Sequence, residues 1–155
     1  MASRRTELLQ VFARVCEALA FAHRNRVLHL DLKPGNVMVG AHREVQVMDW
    51  GLSKLLDDSD DQPGVAGTWP YMSREQANGR IEEVDRRSDV FGLGGMLCAI
   101  LTGKPPYDGP TPEDVIRQAR EADLADAYAR LERCGADAEL ISLARALASA
   151  SATFA

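Results

Sequence analysis

The chain has 155 residues, of which 46% are apolar and 26% charged, with a formal net charge of −5. This is the composition of an ordinary globular domain, and it excludes a disordered, collagen-like or disulfide-stapled protein. Binding to a nucleic-acid backbone needs a strongly basic face, so we expect no nucleic-acid partner.

The cysteines and the longest apolar run also limit the class of protein. The chain has an odd number of cysteines, and none of them has C-x-x-C spacing: Cys16, Cys98 and Cys134. We therefore expect reduced thiols that pack in the interior. The longest apolar run, at 90–101, is shorter than the roughly 20 residues that span a bilayer. We therefore expect a cytoplasmic chain with no membrane segment.

The predicted elements begin with an amphipathic helix at 6–23, followed by three short β-rich segments at 27–29, 37–39 and 45–48. Apolar residues in the helix recur at spacings of three and four, which predicts one side facing the core. These residues are Leu8, Leu9, Phe12, Val15, Cys16, Leu19 and Ala20. A glycine-containing turn sequence separates the last two β-rich segments and predicts a hairpin.

The second half is predicted to be helical after a long irregular segment. Residues 51–79 lack a sustained period and include an aspartate cluster at 57–61, which predicts an irregular, exposed loop. A helix at 85–102 is apolar on nearly every face, as is typical of a buried central helix, and it ends at Gly103. Thr111 and Asp137 start two more helices. In the last of these helices, the residues predicted to face the core are Leu140, Ile141, Leu143, Ala144 and Leu147.

Polar groups are concentrated on the loop between the first two predicted strands. A carboxylate, an ammonium group and an amide, at Asp31, Lys33 and Asn36, lie within six residues, which indicates a site. Asp49 follows the third strand, and the hairpin would bring it close to Asn36. Two such oxygen ligands suit Mg²⁺, which shares its shell with phosphate oxygens. The alternative is that these Asp and Asn residues only form turns.

This loop, H-L-D-L-K-P-G-N at 29–36, resembles the catalytic loop H-R-D-x-K-x-x-N of the eukaryotic-type protein kinase family. The D-W-G sequence at 49–51 resembles the family's D-F-G metal motif. Residues 67–75 look like the end of an activation segment, and 85–94 and 101–107 look like the two ends of the central helix of the C-terminal lobe. The similarity covers nearly all of residues 6–147 in the family's order.

The resemblance implies a role for each candidate residue. Asp31 would orient the substrate hydroxyl and accept its proton, and Lys33 would neutralise the transferred γ-phosphate of ATP. Asn36 and Asp49 would hold two Mg²⁺ ions. Thr68 would hydrogen-bond near Asp31 and Lys33, as in serine/threonine kinases.

The resemblance also implies a fold and partners. The fold would be mainly α (α+β), a kinase C-terminal lobe with short strands beside the catalytic loop and no N-terminal lobe. We expect residues 1–155 to form this single truncated domain, inactive alone or completed by a chain that supplies the missing lobe. Its partners would be protein substrates, and its cofactors ATP and Mg²⁺.

Several residues depart from the family's pattern or act beside it. His29 and Asp89 are expected to brace the catalytic loop rather than take part in the chemistry. Leu30 replaces the arginine that pairs with a phosphorylated activation loop in many of these kinases, so control by such phosphorylation is doubtful. Glu75 lacks its family arginine partner near the last helix, and His23 has no spaced partner for a metal site.

Two alternative functions belong to different classes. The first is a kinase-derived remnant that binds proteins through the face of the absent lobe. The second is a small-molecule phosphotransferase of the aminoglycoside-kinase type, which shares H-x-D-x-x-x-x-N and often D-W. Lys33 and the segments 67–75 and 88–94 argue against the second alternative.

Overall fold

The computed structural model describes residues 3–52, 54–55 and 65–151. The helices are α1 (Arg4–Arg24), α2 (Arg74–Ala77), α3 (Arg86–Thr102), α4 (Pro112–Glu121), α5 (Ala125–Glu132) and α6 (Ala138–Ala148). The strands are β1 (Val27–Leu28), β2 (Val37–Val39), β3 (Val45–Val47) and β4 (Lys54–Leu55). Helices dominate and the strands are short, so the predicted mainly α fold class is confirmed.

The core is built around α3, which is buried over most of its surface as its sequence predicts. Its start is fixed by Asp85, whose carboxylate accepts the N–H of Arg87, and its end by Gly103, which has a left-handed φ of 79°. Helix α6 crosses α3 at Gly94, where a Cβ atom would lie 2.6 Å from the backbone nitrogen of Ala148. The missing side chain at Gly94 therefore allows the two helices to pack closely.

Helix α1 packs against α3 and starts two residues before the predicted position. The reason is the cap: the hydroxyl of Ser3 accepts the N–H of Thr6 at 3.2 Å. The residues buried along this helix are Phe12, Val15, Leu19 and Ala22. Ala20 was expected to face the core but is exposed, because it is rotated by about 100° from the stripe that contains Leu19.

The strands form two antiparallel pairs. Strands β2 and β3 make the predicted hairpin, with Val37 opposite Val47. Strand β1 pairs with β4, with Val27 opposite Leu55. Neither β4 nor α2 was predicted, because elements this short produce no detectable period. The aspartate cluster at 57–61 lies outside the described residues.

The C-terminal helices cover the rest of the core. Thr111 caps α4 and Asp137 precedes α6, both as predicted, whereas α5 was not predicted. In α6, Ala144 and Ala148 are buried, but Leu143 is 44% exposed, contrary to the prediction. The helix faces α3 along the line of those two alanines, which leaves the neighbouring position to solvent.

The cysteines and the helix lengths were also subjects of sequence predictions. Cys16, Cys98 and Cys134 are free, and burial raises the pKa of the Cys16 and Cys98 thiols, which favours the unreactive protonated form. None of the helices in the described part of the chain has both the length and the apolar character to cross a membrane.

Candidate active site

The loop that carries the candidate residues is fastened to the core by buried side chains. The carboxylate of Asp89 on α3 is 1% exposed and accepts the N–H of His29 at 2.9 Å and that of Leu30 at 2.8 Å. The His29 ring accepts the N–H of Asp31 at Nδ1 (3.0 Å) and donates through Nε2 to the carbonyl of Met48 (2.9 Å). These partners fix neutral His29 as the Nε2–H tautomer. Both residues thus brace the loop, as expected.

Four of the five predicted site residues form one hydrogen-bonded cluster. The hydroxyl of Thr68 donates to Oδ1 of Asp31 at 2.8 Å, and Nζ of Lys33 donates to the Thr68 oxygen at 2.8 Å. The amide nitrogen of Asn36 donates to the Asp31 carbonyl at 2.7 Å and to its Oδ2 at 3.3 Å. Each carboxylate oxygen has two acceptor sites, so Asp31 can still accept a hydrogen bond from a substrate hydroxyl.

The fifth residue, Asp49, lies at the end of the hairpin beside Asn36. The Asn36 carbonyl accepts the N–H of Met48 at 2.7 Å, which brings the end of β3 to the start of β2. Asp49 follows with a left-handed φ of 59°, and its side chain is exposed. Among the described residues, none donates a hydrogen bond to its carboxylate. It is therefore available to a ligand.

The donor set at Asn36 and Asp49 fits Mg²⁺. The amide nitrogen of Asn36 is used on Asp31, so its amide oxygen remains for a cation. An amide oxygen and a free carboxylate are the hard ligands that Mg²⁺ takes. No group of three or more His, Cys, Asp or Glu able to hold a metal occurs in the described part of the chain. The site thus suits an ion whose other ligands are water and phosphate oxygens.

Trp50 fixes the residues around Asp49. Its indole Nε1 donates to the carbonyl of Val47 at 3.0 Å, and its ring meets the ring of His29 edge-on with centroids 4.5 Å apart. This tryptophan packs on one side against His29 of the 29–36 loop and bonds on the other to β3, the strand that precedes Asp49.

Three contacts of the site region were not predicted from the sequence. His23 on α1 donates to Asp89 at 2.8 Å, and Gln76 on α2 donates to the carbonyl of Leu30 at 2.8 Å. Each pair is far apart in the chain, so no local pattern could have revealed it.

The third contact gives Glu75 a partner other than its family arginine. This residue is 7% exposed, and it accepts a hydrogen bond from the hydroxyl of Ser88 at 2.6 Å. A hydroxyl satisfies part of what an arginine would supply, which lowers the cost of burying the carboxylate. No local pattern links Ser88 to Glu75, because the two residues lie 13 positions apart.

Comparisons with known proteins place these features in a family context. A family model described as protein kinase domain matches residues 2–149. The chain is 41% identical over 139 residues to serine/threonine-protein kinase PknB of Mycobacterium tuberculosis, which covers 87% of this chain and 22% of that protein. It is 39% identical over 140 residues to PknB of Mycobacterium leprae, covering 88% and 22%.

A third relative is also named as a serine/threonine protein kinase. The chain is 45% identical over 104 residues to a probable serine/threonine-protein kinase PknB of Bifidobacterium longum, covering 64% of this chain and 15% of that protein. The chain therefore spans about a fifth or less of the length of these three curated relatives.

Proposed function

The chain belongs to the eukaryotic-type serine/threonine protein kinase family, and we propose that it transfers the γ-phosphate of ATP to serine or threonine residues of a protein substrate. The observation that carries this proposal is the series of hydrogen bonds from Lys33 through Thr68 to Asp31. It joins a proton acceptor to a cation that can face a phosphate. Phosphoryl transfer depends mainly on such positioning and charge stabilisation.

In this proposal Asp31 acts on the substrate hydroxyl. Its carboxylate is half-buried and is oriented by Thr68 and Asn36, so it presents a fixed acceptor to the attacking oxygen. As that oxygen bonds to phosphorus, its proton passes to the Asp31 carboxylate, and the bond from phosphorus to the ADP oxygen breaks. A positioned acid or base of this kind contributes about 10² to 10⁴ in rate.

Lys33 supplies positive charge next to the reacting group. Its ammonium group has three N–H donors, of which one is used on Thr68. The remaining donors can contact oxygens of the transferred phosphate. The bond to Thr68 holds the lysine ammonium group close to the Asp31 carboxylate. A threonine that bonds both residues also agrees with the proposed serine or threonine substrate.

Asn36 and Asp49 are the residues that we propose to hold Mg²⁺. When bound, this ion neutralises charge on the phosphates. The protein itself contributes the position of the two oxygen ligands, which the hairpin fixes through the Met48 to Asn36 backbone bond.

The described residues correspond to the C-terminal lobe of a protein kinase, the fold class that the sequence predicts. We propose that they provide one side of the nucleotide site, and that an N-terminal lobe, in the same polypeptide or in a second chain, provides the other. In this arrangement the lobe alone transfers phosphate slowly, and the reaction takes place in the cytoplasm.

A second candidate function is protein binding without catalysis. It is favoured by large apolar side chains exposed on and after the hairpin. These are Met38 (52%), Val39 (50%), Met48 (41%) and Leu52 (39%). Apolar surface of this kind is typical of an interaction site when it is contiguous.

Calorimetry of Mg²⁺–ATP binding separates the two candidates. We expect the wild-type chain to bind with a Kd on the order of micromolar, and Asp49→Asn to weaken binding by at least about tenfold, since it removes an ionised ligand. The matched control is Asp137→Asn, which changes an exposed aspartate whose side chain makes no capping bond.

Two outcomes of this titration would contradict parts of the proposal. Binding that Asp49→Asn leaves unchanged would contradict the metal-ligand role of Asp49. A folded wild-type chain that binds no Mg²⁺–ATP would contradict the kinase proposal for this lobe and favour protein binding. Where ATP binds, transfer of radiolabelled phosphate to a serine- or threonine-containing protein tests the reaction itself.

A further inference from the structure

The backbone before the catalytic aspartate has a conformation that leucine rarely adopts. Leu30 has a φ of 70°, in the left-handed region where a bulky side chain is strained. Its N–H donates to Asp89 at 2.8 Å, and its carbonyl accepts from Nε2 of Gln76 at 2.8 Å. Such strain persists only where the surroundings hold the residue from several sides.

The same pattern continues at the next residue. The N–H of Asp31 donates to the ring of His29, and its carbonyl accepts from Asn36. All four backbone polar groups of Leu30 and Asp31 are therefore bonded by side chains. Three of these side chains belong to the loop or to α3, whereas Gln76 comes from α2.

Gln76 touches both segments that form the catalytic cluster. Besides bonding Leu30, its Nε2 lies 3.5 Å from the carbonyl of Ala66, two residues before Thr68. The orientation of its amide group is set by the buried hydroxyl of Ser73, which donates to its Oε1 at 3.0 Å. The nitrogen must then face the two carbonyls.

We propose that Gln76 is a positioning residue of the phosphotransfer site: it holds the Leu30–Asp31 peptide against the 66–68 segment, so that the Thr68 hydroxyl stays bonded to the Asp31 carboxylate. This inference rests on the proposed function. The Thr68 to Asp31 bond of 2.8 Å joins the same two segments. Loss of the Gln76 bonds leaves the Leu30 carbonyl without its donor, and the left-handed turn relaxes.

Two variants remove the bonds in different ways. Gln76→Met keeps a similar length and shape but has no donor, whereas Gln76→Glu has the same shape and places a carboxylate against two carbonyl oxygens. The matched control is Gln118→Met. The Gln118 amide group also bonds backbone, accepting from the N–H of Asp108 at 3.1 Å and donating to its carbonyl at 3.0 Å, but it lies on α4 and touches neither segment.

Amide hydrogen exchange on the chain is the first readout. We expect exchange at 30–33 and 66–68 to be about five- to tenfold faster in Gln76→Met, and faster still in Gln76→Glu. The reason is that these segments must break the Gln76 hydrogen bonds to open locally, and the variants lack those bonds. Exchange in α6 should not change, and Gln118→Met should leave the catalytic segments as in the wild type. Unchanged exchange at 30–33 in both Gln76 variants overturns the proposal, as does an increase of equal size in α6.

Steady-state phosphotransfer is the second readout. We expect Gln76→Met to lower kcat by about tenfold, since small misplacements of reacting groups are costly, and to leave the KM for ATP unchanged, because Gln76 contacts neither Asn36 nor Asp49. A raised KM for ATP with unchanged kcat overturns the positioning role. If the wild type transfers no phosphate, the proposed function fails, and the exchange measurement still decides whether Gln76 holds the two segments together.

Discussion

The two sides of the candidate site are held in different ways. On one side, side chains bond every backbone polar group of Leu30 and Asp31, and the central carboxylate of Asp89 is 1% exposed. On the other side, Met38 is 52% exposed and Asp49 presents its carboxylate to solvent. The proposed base is thus preorganised by the core of the lobe, whereas the carboxylate of Asp49, a proposed metal ligand, accepts no hydrogen bond from the described residues.

The largest effect is expected when the fixed side loses Asp31, its proposed proton acceptor. Asp31→Asn keeps the shape of the side chain but removes the charge, so we expect phosphotransfer to fall by about 10² to 10⁴. The thermal midpoint should move by no more than about 2 °C, because the polar contacts of the loop backbone remain. A radiolabel assay and a melting curve check this prediction, with Asp137→Asn as the control. Transfer at the wild-type rate would mean that another group accepts the proton.

The next largest effect is expected on stability, at the residue that fastens the loop. Asp89→Ala leaves three donors in or near the core without their acceptor: the N–H groups of His29 and Leu30, and Nε2 of His23. We expect a loss of about 3 to 5 kcal/mol in the free energy of unfolding, measured by chemical denaturation. The control is Glu132→Ala, which breaks an exposed ion pair with Arg145 and should cost less than about 1 kcal/mol. Equal losses in the two variants would contradict the role given to Asp89.

The smallest effect is expected on the open side. Met38→Ala on β2 should change the free energy of unfolding by about 0.5 kcal/mol or less, because this side chain already contacts solvent. The matched variant Met96→Ala, at a position 4% exposed on α3, should cost about 2 to 5 kcal/mol. Urea denaturation measures both. A large loss for Met38→Ala would show that the hairpin belongs to the core and would remove the contrast between the two sides.

The sequence was sufficient to predict the helices and strands that have strong local sequence signals. The central helix has a capping aspartate, a continuous apolar stretch and a glycine that ends it, and its observed bounds match the prediction to within one residue. The hairpin follows from two β-rich segments on either side of a glycine-containing turn. For the site, the clustering of Asp31, Lys33 and Asn36 was local, whereas the place of Thr68 depended on the family resemblance.

The remaining features could not be predicted because their causes are not local. The two-residue strand β4 exists only through its pairing with β1, and the exposure of Leu143 depends on which side of α6 meets α3. Gln76 and His23 gain their roles through partners 46 and 66 positions away. A periodic sequence pattern identifies which residues face the core, but it does not identify which carbonyl group accepts a hydrogen bond from a distant side-chain amide.

The close crossing at Gly94 has a consequence for how the chain is made. Helix α3 leaves the ribosome well before α6, and the backbone of Ala148 is what covers Gly94. At about 5–20 residues per second, synthesis leaves this apolar helix without its cover for a few seconds. During that interval the α3 surface around Gly94 stays exposed, and it is buried only once α6 has been synthesised.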